Sequence, residues 1–230
     1  MTELLDIDVQ ALLQRELQQH REAFEATAQS LSTPFPACLR LIERSVLGGG
    51  KILLFGNGGS AADAQQFAAE LAIGYETVRA PISAIALTTD SSALTACAND
   101  FGFEAIFERQ IEALGRPHDV ALGISTSGNS PNVLRGLRQA KAMGLQTIGL
   151  TGGNGGQMQG LCDVLIAVPS TMTARIQEMH SMIGHMLCRA LEMRLGPWSR
   201  IYPDADPIHS AAPQKERHHV DSRLCPAGYR

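Results

Sequence analysis

The sequence predicts an α/β fold, in which a doubly wound, five-stranded parallel sheet is flanked by helices, with long N-terminal and C-terminal helices. Three observations support this prediction. Five short apolar runs lack strict alternation, as expected for strands that helices cover on both faces. Helical periodicity fills the intervals between these runs, which is typical of βαβα units. Two loops rich in glycine and serine connect such runs to the helices that follow them.

Two helices are expected before the first strand. Over residues 9–30 the apolar residues recur mostly at helical spacing, with charged and polar residues between them. The same pattern returns over residues 35–47, and three consecutive glycines at 48–50 then end it.

The alternating part of the chain follows these helices. We expect strands at 51–55, 83–87, 119–124, 147–150 and 164–168. We expect helices at 61–73, 92–98, 103–114 and 131–143, with a turn or two near Gln157 and a last helix over 171–195. Gly196 and Pro197 end that last helix.

Residues 197–230 differ in composition from the rest, because they hold five of the eleven prolines and few periodic apolar positions. We therefore expect a disordered tail there, and a chain ending at Gly196 should keep fold and activity. Residues 1–196 are interpreted as one domain, with its N-terminal helices in 8–48 and its sheet and remaining helices in 50–196.

Composition and charge exclude several classes of protein. A chain with 44% hydrophobic and 18% charged residues is typical of a globular domain and not of a disordered or fibrous protein. Its net charge of -4 gives no summed positive field, so no nucleic acid partner is expected. An acidic, amphipathic N terminus and the lack of long apolar runs predict no signal peptide and no membrane partner. Five widely spaced cysteines, an odd number, indicate reduced thiols and a cytoplasmic protein.

The first loop, FGNGGSAADAQQFAAEL, leaves a predicted strand and enters a predicted helix. Its glycines leave backbone amides open to an anion, and Ser60 is the expected N-cap. Gly56, Gly58 and Ala61 also satisfy the dinucleotide fingerprint G-x-G-x-x-A. The first acid after the next strand is Asp90, however, far beyond the spacing of about twenty residues that ribose binding requires. We therefore expect no nucleotide cofactor.

The second loop, GISTSGNSPNVL, carries four hydroxyl side chains within six residues: Ser125, Thr126, Ser127 and Ser130. With Ser130 as N-cap and Pro131 at the first helical position, hydroxyls and amides converge on a positive helix end. A simple N-cap needs only one hydroxyl, so this loop predicts a phosphate site.

Two predicted helices carry polar residues on one face. Gln66 and Glu70 lie four residues apart among alanines, where a carboxylate has little water and suits a general base. A surface glutamate is the alternative interpretation.

In the last helix, Gln177, Ser181 and His185 align at i, i+4 and i+8. Ser181 and Gly184 are small and leave room for a ligand or another helix. This strip favours a site over a purely structural histidine. His180 lies off the strip and is expected either to support the site residues without touching a ligand or to be structural.

Taken together, these motifs resemble the phosphoheptose (sedoheptulose 7-phosphate) isomerases of the SIS-domain superfamily. The resemblance rests on GNGGSAADAQQFAAEL, ALTTDSSALTACANDFGF, GISTSGNSPNVL and ARIQEMHSMIGH, and covers residues 8–195. It implies a homotetramer with active sites at subunit interfaces. It also implies conversion of sedoheptulose 7-phosphate to D-glycero-D-manno-heptose 7-phosphate, a precursor of lipopolysaccharide or related glycans.

The resemblance further implies roles for individual residues. Glu70 would be the base that moves a proton between two carbons through an enediol, with His185 as its partner acid and Gln177 as a polar ligand beside that histidine. Other substrate contacts would come from Asn57, Gly58, Gly59, Asn99 and Asp100. The phosphate would be held by Ser125, Thr126, Ser127 and Ser130.

Two positions depart from the family's pattern. Gln66 stands where the family usually has a zinc-binding histidine, and a neutral amide is a poor zinc ligand. Zinc is therefore expected to be weakly bound or absent at the remaining candidate ligands Glu70, Gln177 and His185. Gly74 stands where an arginine is usual, which leaves open whether the sugar phosphate has seven or eight carbons.

Two other functions compete with the isomerase. A non-catalytic SIS-domain regulator that binds a replication initiator would keep the phosphate loops but is expected to lack the glutamate, so Glu70 and His185 favour the enzyme. A sugar-phosphate sensor would need a DNA-binding or effector module, and none precedes the predicted sheet.

Overall fold

The computed structural model describes residues 7–77 and 79–196 of the chain. Predictions about a tail at 197–230 lie outside these residues. The strands are β1 (Ile52–Gly56), β2 (Ala84–Ala86), β3 (Val120–Ser125), β4 (Gln146–Gly152) and β5 (Val164–Val168). The helices are α1 (Val9–Ser30), α2 (Pro34–Leu47), α3 (Gly59–Ile73), α4 (Ser91–Phe101), α5 (Ile106–Leu114), α6 (Pro131–Ala142) and α7 (Thr173–Leu195). Short 3₁₀ turns cover Phe103–Ala105 and Gly156–Met158. The predicted fold class is confirmed.

The five strands form one parallel sheet in the order β2-β1-β3-β4-β5. Ile52 of β1 pairs with Ala84 on one side and with Val120 on the other. The chain order reverses direction between β1 and β3, and ligands of open parallel sheets bind beyond the carboxyl ends of strands at such a point. Each of the two glycine- and serine-rich loops begins at the carboxyl end of one of these strands.

Helices cover both faces of the sheet, which explains the lack of alternation in its strands. Every residue of β1 and β3 is buried. Leu54 of β1 faces a core that includes Phe67 of α3 and Leu187 of α7, whereas Phe55 faces Phe107 of α5. Helices α3 and α7 therefore lie on the same side of the sheet and pack against each other.

Helices α3 and α7 approach each other closely at Gly184. A Cβ at this position would overlap the ring of Phe67, so only glycine lets the two helices approach so closely. The room that Gly184 leaves is thus filled by a neighbouring helix. Along α7, Leu187 and Leu191 are buried, whereas Met172 and Met186 are 41% and 38% exposed.

The expected N-cap of α3 is wrong. The helix begins at Gly59, two residues earlier than expected, and Gly58 occupies the cap position with φ 55°. Ser60 instead lies in the first turn and is buried. A glycine can adopt the left-handed backbone of this turn, so the turn does not depend on a capping hydroxyl.

None of the helices within the described residues is long and apolar enough to cross a membrane.

Candidate active site

Helices α3 and α7 bring Gln66, Glu70 and His185 together. Gln66 Nε2 lies 3.2 Å from Glu70 Oε1 and 2.7 Å from His185 Nε2. The distance from Glu70 Oε1 to His185 Nε2 is 3.2 Å. The three side chains therefore form a closed triangle of polar contacts, although His185 is more than one hundred residues away from the other two along the chain.

The Glu70 carboxylate is mostly withdrawn from water, with 16% of its side chain exposed against 35% for His185. Oε1 faces Gln66 and His185, whereas Oε2 is buried and has no hydrogen-bond partner among the described residues. Burial, followed by the charge of Glu70, raises the pKa of the neighbouring Cys188 thiol, which stays protonated. A carboxylate and an imidazole in contact at the edge of solvent are suited to proton transfer.

A cleft of about 400 Å³ opens beside His185. Its lining consists of Tyr75, Glu178, Ser181, Met182, His185, Met186 and Arg189. The Tyr75 ring stacks on the His185 ring, with centroids 5.4 Å apart and planes inclined by 16°. A cleft of this size is within the range of small-molecule sites.

Asp63 is a carboxylate of this region that sequence analysis missed. Ser181 Oγ donates to Asp63 Oδ1 at 2.7 Å, and Oδ2 is buried without a partner in the described part of the chain. Burial raises the pKa of Asp63, while Ser181 and His185 act in the opposite direction. Asp63 lies two helical turns before Glu70, so helical spacing could have revealed it.

The second loop brings three of its four hydroxyls together. Ser125 Oγ lies 2.9 Å from Ser130 Oγ and 3.4 Å from Ser127 Oγ. Ser130 is the N-cap residue of α6, with Pro131 following, but its side chain makes no capping hydrogen bond. The hydroxyls face one another at a helix N-terminus, which is an arrangement that can bind an anion.

A second cleft, of about 460 Å³, opens onto this loop. Thr126 and Ser127 line one side, and Ser170, Thr171 and Thr173 come from the segment that leads into α7. Sequence analysis missed these last three residues because no glycine-rich turn marks them. The available signal was three hydroxyl residues among four, at 170–173.

Asn57 connects the two loops. Its amide exchanges two hydrogen bonds with the amide of Asn132, at 2.9 and 2.8 Å. The loop after β1 is thereby held against the start of α6, beside the phosphate-type loop. Gly58 and Gly59 follow Asn57 at the start of α3. Asn132 was not predicted, since nothing in the local pattern distinguishes it.

Gln177, Asn99 and Asp100 lie apart from the triangle. Gln177 packs against Gly59, and eight residues of helix, about 12 Å of rise, separate it from His185. Asn99 Nδ2 donates to Asp100 Oδ1 at 2.8 Å on the exposed side of α4. Within a single chain the predicted site residues thus form separate groups.

The donor set at the triangle does not fit zinc. The nitrogen of the Gln66 amide, which is not a metal ligand, lies between the imidazole and the carboxylate. Gln177 is too far along α7 to share one ion with His185 in the same chain. Among the residues that the structure describes, no group of three or more His, Cys, Asp or Glu is placed to hold a metal ion.

His180 is structural in position. It is completely buried, and its Nε2 lies 3.0 Å from the carbonyl oxygen of Thr151. Burial lowers its pKa to about 4, against a smaller opposing effect of that hydrogen bond. The imidazole is therefore neutral near pH 7.

The fold and the loops at the carboxyl ends of β1 and β3 match a known class. A profile of the SIS domain family matches residues 17–152 of the chain. The chain therefore belongs to the SIS domain family.

Comparison with individual proteins narrows this class. The chain is 55% identical to the phosphoheptose isomerase of Paramagnetospirillum magneticum over 185 residues, which is 80% of this chain and 96% of that one. It is 50% identical to the phosphoheptose isomerase of Helicobacter pylori, over 79% of this chain and 94% of that one. The structure of phosphoheptose isomerase GmhA from Neisseria gonorrhoeae superposes with a TM-score of 0.76 at 41% identity, over 80% of this chain and 99% of that chain. Within the SIS domain family, the chain belongs to the phosphoheptose isomerases.

Proposed function

We propose that this protein is an aldose–ketose isomerase that converts sedoheptulose 7-phosphate to D-glycero-D-manno-heptose 7-phosphate, or acts on a closely related sugar phosphate. The observation that carries the proposal is the contact between the Glu70 carboxylate and the His185 imidazole at the edge of a cleft, in a member of the phosphoheptose isomerases. This reaction moves one proton between adjacent carbons and one between their oxygens, and so needs one base and one acid.

In the proposed reaction, Glu70 removes a proton from C1 of the ketose while His185 protonates the carbonyl oxygen at C2. The product of this step is an enediol. Glu70 then returns its proton to C2, and the O1 proton passes back to His185 as the aldehyde forms. Both groups end in their starting states, so no redox partner is consumed.

The phosphate ester is proposed to bind at the second loop. Its amides and the three neighbouring serine hydroxyls supply donors, and the N-terminus of α6 adds a partial positive charge. Binding energy from the phosphate, which is remote from the reacting carbons, would hold C1 and C2 in register for proton transfer. Asn57, Gly58, Gly59, Asn99, Asp100, Thr126 and Gln177 remain proposed substrate contacts.

Catalysis is proposed to run with weak or absent zinc. This proposal rests on the donor set, since the Gln66 amide contacts both groups that would have to bind the ion. The proton transfers then depend on Glu70 and His185 alone.

A homotetramer with active sites at subunit interfaces is also proposed. Helix α1 exposes Val9, Leu13, Leu17 and Phe24, and an apolar groove of about 400 Å³ lies between α1, α2 and α7. Met182 and Met186 line both this groove and the cleft beside His185, so a second copy in the groove would border the site. Sedimentation equilibrium tests this assembly, and a monomer with full activity would contradict it.

Residues 1–196 are proposed to form a single SIS domain, since one sheet separates two cores, and helices from both ends of the domain pack into the same one of them. A cytoplasmic location is also proposed. Four cysteines within the described residues, Cys38, Cys97, Cys162 and Cys188, are free thiols, as a reducing compartment would leave them.

The direct test is to add sedoheptulose 7-phosphate to the purified full-length chain and to follow formation of the aldose by NMR. Turnover that is lost in Glu70→Gln supports the proposal. Binding of the sugar phosphate without turnover would favour the non-catalytic regulator, which the presence of both Glu70 and His185 argues against.

A further inference from the structure

The loop that follows α3 is held by a buried carboxylate on another helix. Backbone N–H groups of Tyr75, Glu76 and Thr77 all donate to the Glu192 carboxylate of α7, at 2.7, 3.1 and 3.1 Å. The Thr77 hydroxyl donates to it as well, at 3.2 Å. One side chain of α7 thus fixes three consecutive residues of this loop.

Arg79 completes the attachment from the other end of the loop. Its buried guanidinium donates to the carbonyl oxygens of Glu70, Leu71 and Ala80. Its Nε lies 3.4 Å from Glu192 Oε1, so the buried carboxylate has a buried cation beside it. A buried charge is tolerated when it is both paired and hydrogen-bonded, and Glu192 meets both conditions.

The loop's backbone also depends on Gly74. This residue has φ 135°, a conformation that side chains other than glycine rarely adopt, and its Cβ would lie 3.2 Å from the carbonyl oxygen of Thr77. An arginine at this position would require the loop to change shape. Gly74 and Glu192 therefore stabilise the same conformation of this loop.

This conformation places the Tyr75 ring against His185. The rings are nearly parallel and offset, with centroids 5.4 Å apart, while Nε2 at the edge of the imidazole faces Gln66 and Glu70. His185 lies seven residues before Glu192, two helical turns away on the same side of α7. Glu192, which holds the loop, and His185, which the loop covers, therefore lie on the same helix.

We propose that Tyr75 is a positioning residue that fixes the ring plane of His185 for proton transfer, and that Glu192 holds Tyr75 in place. The inference rests on the proposed function, because His185 is assigned there as the acid. Stacking restricts rotation of the imidazole about its bond to Cβ, and misplacement of a proton donor by about 1 Å can lower a rate as much as a hundredfold.

The kinetic test compares Tyr75→Ala with Tyr75→Phe, which keeps the ring and removes only the hydroxyl. Tyr75→Ala should lower kcat by about tenfold or more with little change in KM, because the loss lies in the chemical step. Tyr75→Phe should restore kcat. Glu192→Gln should lower kcat in the same way, and in combination with Tyr75→Ala it should add little further loss. Met193→Ala is the matched control, an exposed residue next to Glu192 on α7, and it should leave kcat unchanged.

A spectroscopic measurement tests the stacking without any turnover. In protein with labelled histidine, Tyr75→Ala and Glu192→Gln should both move the ring-proton signals of His185, because each removes the ring current of a stacked aromatic, while Tyr75→Phe should not. Unchanged His185 signals in Tyr75→Ala would overturn the proposal, as would an unchanged kcat in an active enzyme. If the unmodified chain has no isomerase activity but the signals move as stated, the proposed function fails and the positioning of His185 stands.

Discussion

The side-chain amide of Gln66 lies 2.7 Å from Nε2 of His185 and joins α3 to α7 at the place where the reaction is proposed to occur. Glu70, one turn further along α3, contacts the same imidazole nitrogen at 3.2 Å. The geometry of acid and base therefore depends on how these two helices pack, and changes in their packing should appear in the rate.

Glu70→Gln should leave the fold intact and lower kcat by at least about a hundredfold, the low end for removal of a general base. The amide retains the size of the carboxylate but cannot accept the proton from carbon. Circular dichroism and the NMR assay measure the two effects. Glu112→Gln, a surface change on α5, is the control and should keep normal turnover. Near-normal turnover in Glu70→Gln would remove Glu70 from the proposed role.

Ser127→Ala should weaken binding of substrate and of inorganic phosphate together, because both use the hydroxyls of the second loop. Titration calorimetry with inorganic phosphate measures this without catalysis. The double variant Ser127→Ala, Ser130→Ala should bind still more weakly, whereas Ser92→Ala on exposed α4 should bind normally. Unchanged phosphate affinity in the double variant would mean that the anion binds elsewhere.

Gly184→Ala should destabilise the protein by about 1–3 kcal/mol, the usual cost of forcing a methyl group into a packed interior. The added Cβ would overlap the Phe67 ring and push α3 away from α7. Thermal unfolding measures the loss, and kcat should fall as well because Glu70 moves relative to His185. Met193→Ala changes an exposed residue of the same helix and should affect neither quantity. Wild-type stability in Gly184→Ala would contradict the described packing.

Stability should fall in acid partly because of His180. Burial lowers its pKa from 6.5 to about 4, so the unfolded chain takes up a proton at a pH where the folded chain does not. The contribution of this pKa difference to the free energy of unfolding is therefore complete above pH 6.5. It falls by on the order of 3 kcal/mol as the pH falls towards 4. Urea unfolding at several pH values should show a shallower loss for His180→Gln than for the unmodified chain. Met193→Ala, an exposed change that removes no titratable group, should keep the full slope, and equal slopes in all three would contradict the role of His180.

Local sequence patterns predicted most of the fold, because strands buried on both faces and amphipathic helices have distinct periodicities. They were less accurate where the backbone conformation of a glycine determines where an element begins. At the start of α3, Gly58 occupies the cap position, so a capping Ser60 is unnecessary. Met186 of α7, which is 38% exposed, shows a second limit, since helical periodicity can identify an apolar face but not the residues on it that are covered.

The candidate site, like the fold, was predictable from the sequence only in part. Spacing within one helix correctly paired Gln66 with Glu70, and the hydroxyls of the second loop were recognisable from a short segment. The contact of Asn132 with Asn57 and that of Tyr75 with His185 join chain segments at least 75 residues apart. No local pattern encodes such distances, so these residues could be found only once the helices were packed.

Gln66→His should raise the affinity for zinc. The new imidazole would lie one turn before Glu70 and next to His185, so two imidazoles and one carboxylate would share one point, a set that zinc prefers to an amide. Gln65→His is the matched control, because Gln65 is directed to Thr88 on another side of α3 and a histidine there adds no ligand to the site. Metal analysis of the three proteins, purified without added metal and again after chelation, should find little zinc in the unmodified chain and in Gln65→His, and more in Gln66→His. The unmodified chain should keep its isomerase activity after chelation, since Glu70 and His185 carry the proton transfers. Stoichiometric zinc in the unmodified chain that resists the chelator, with activity lost once the ion is removed, would show that the Gln66 amide does not prevent metal binding.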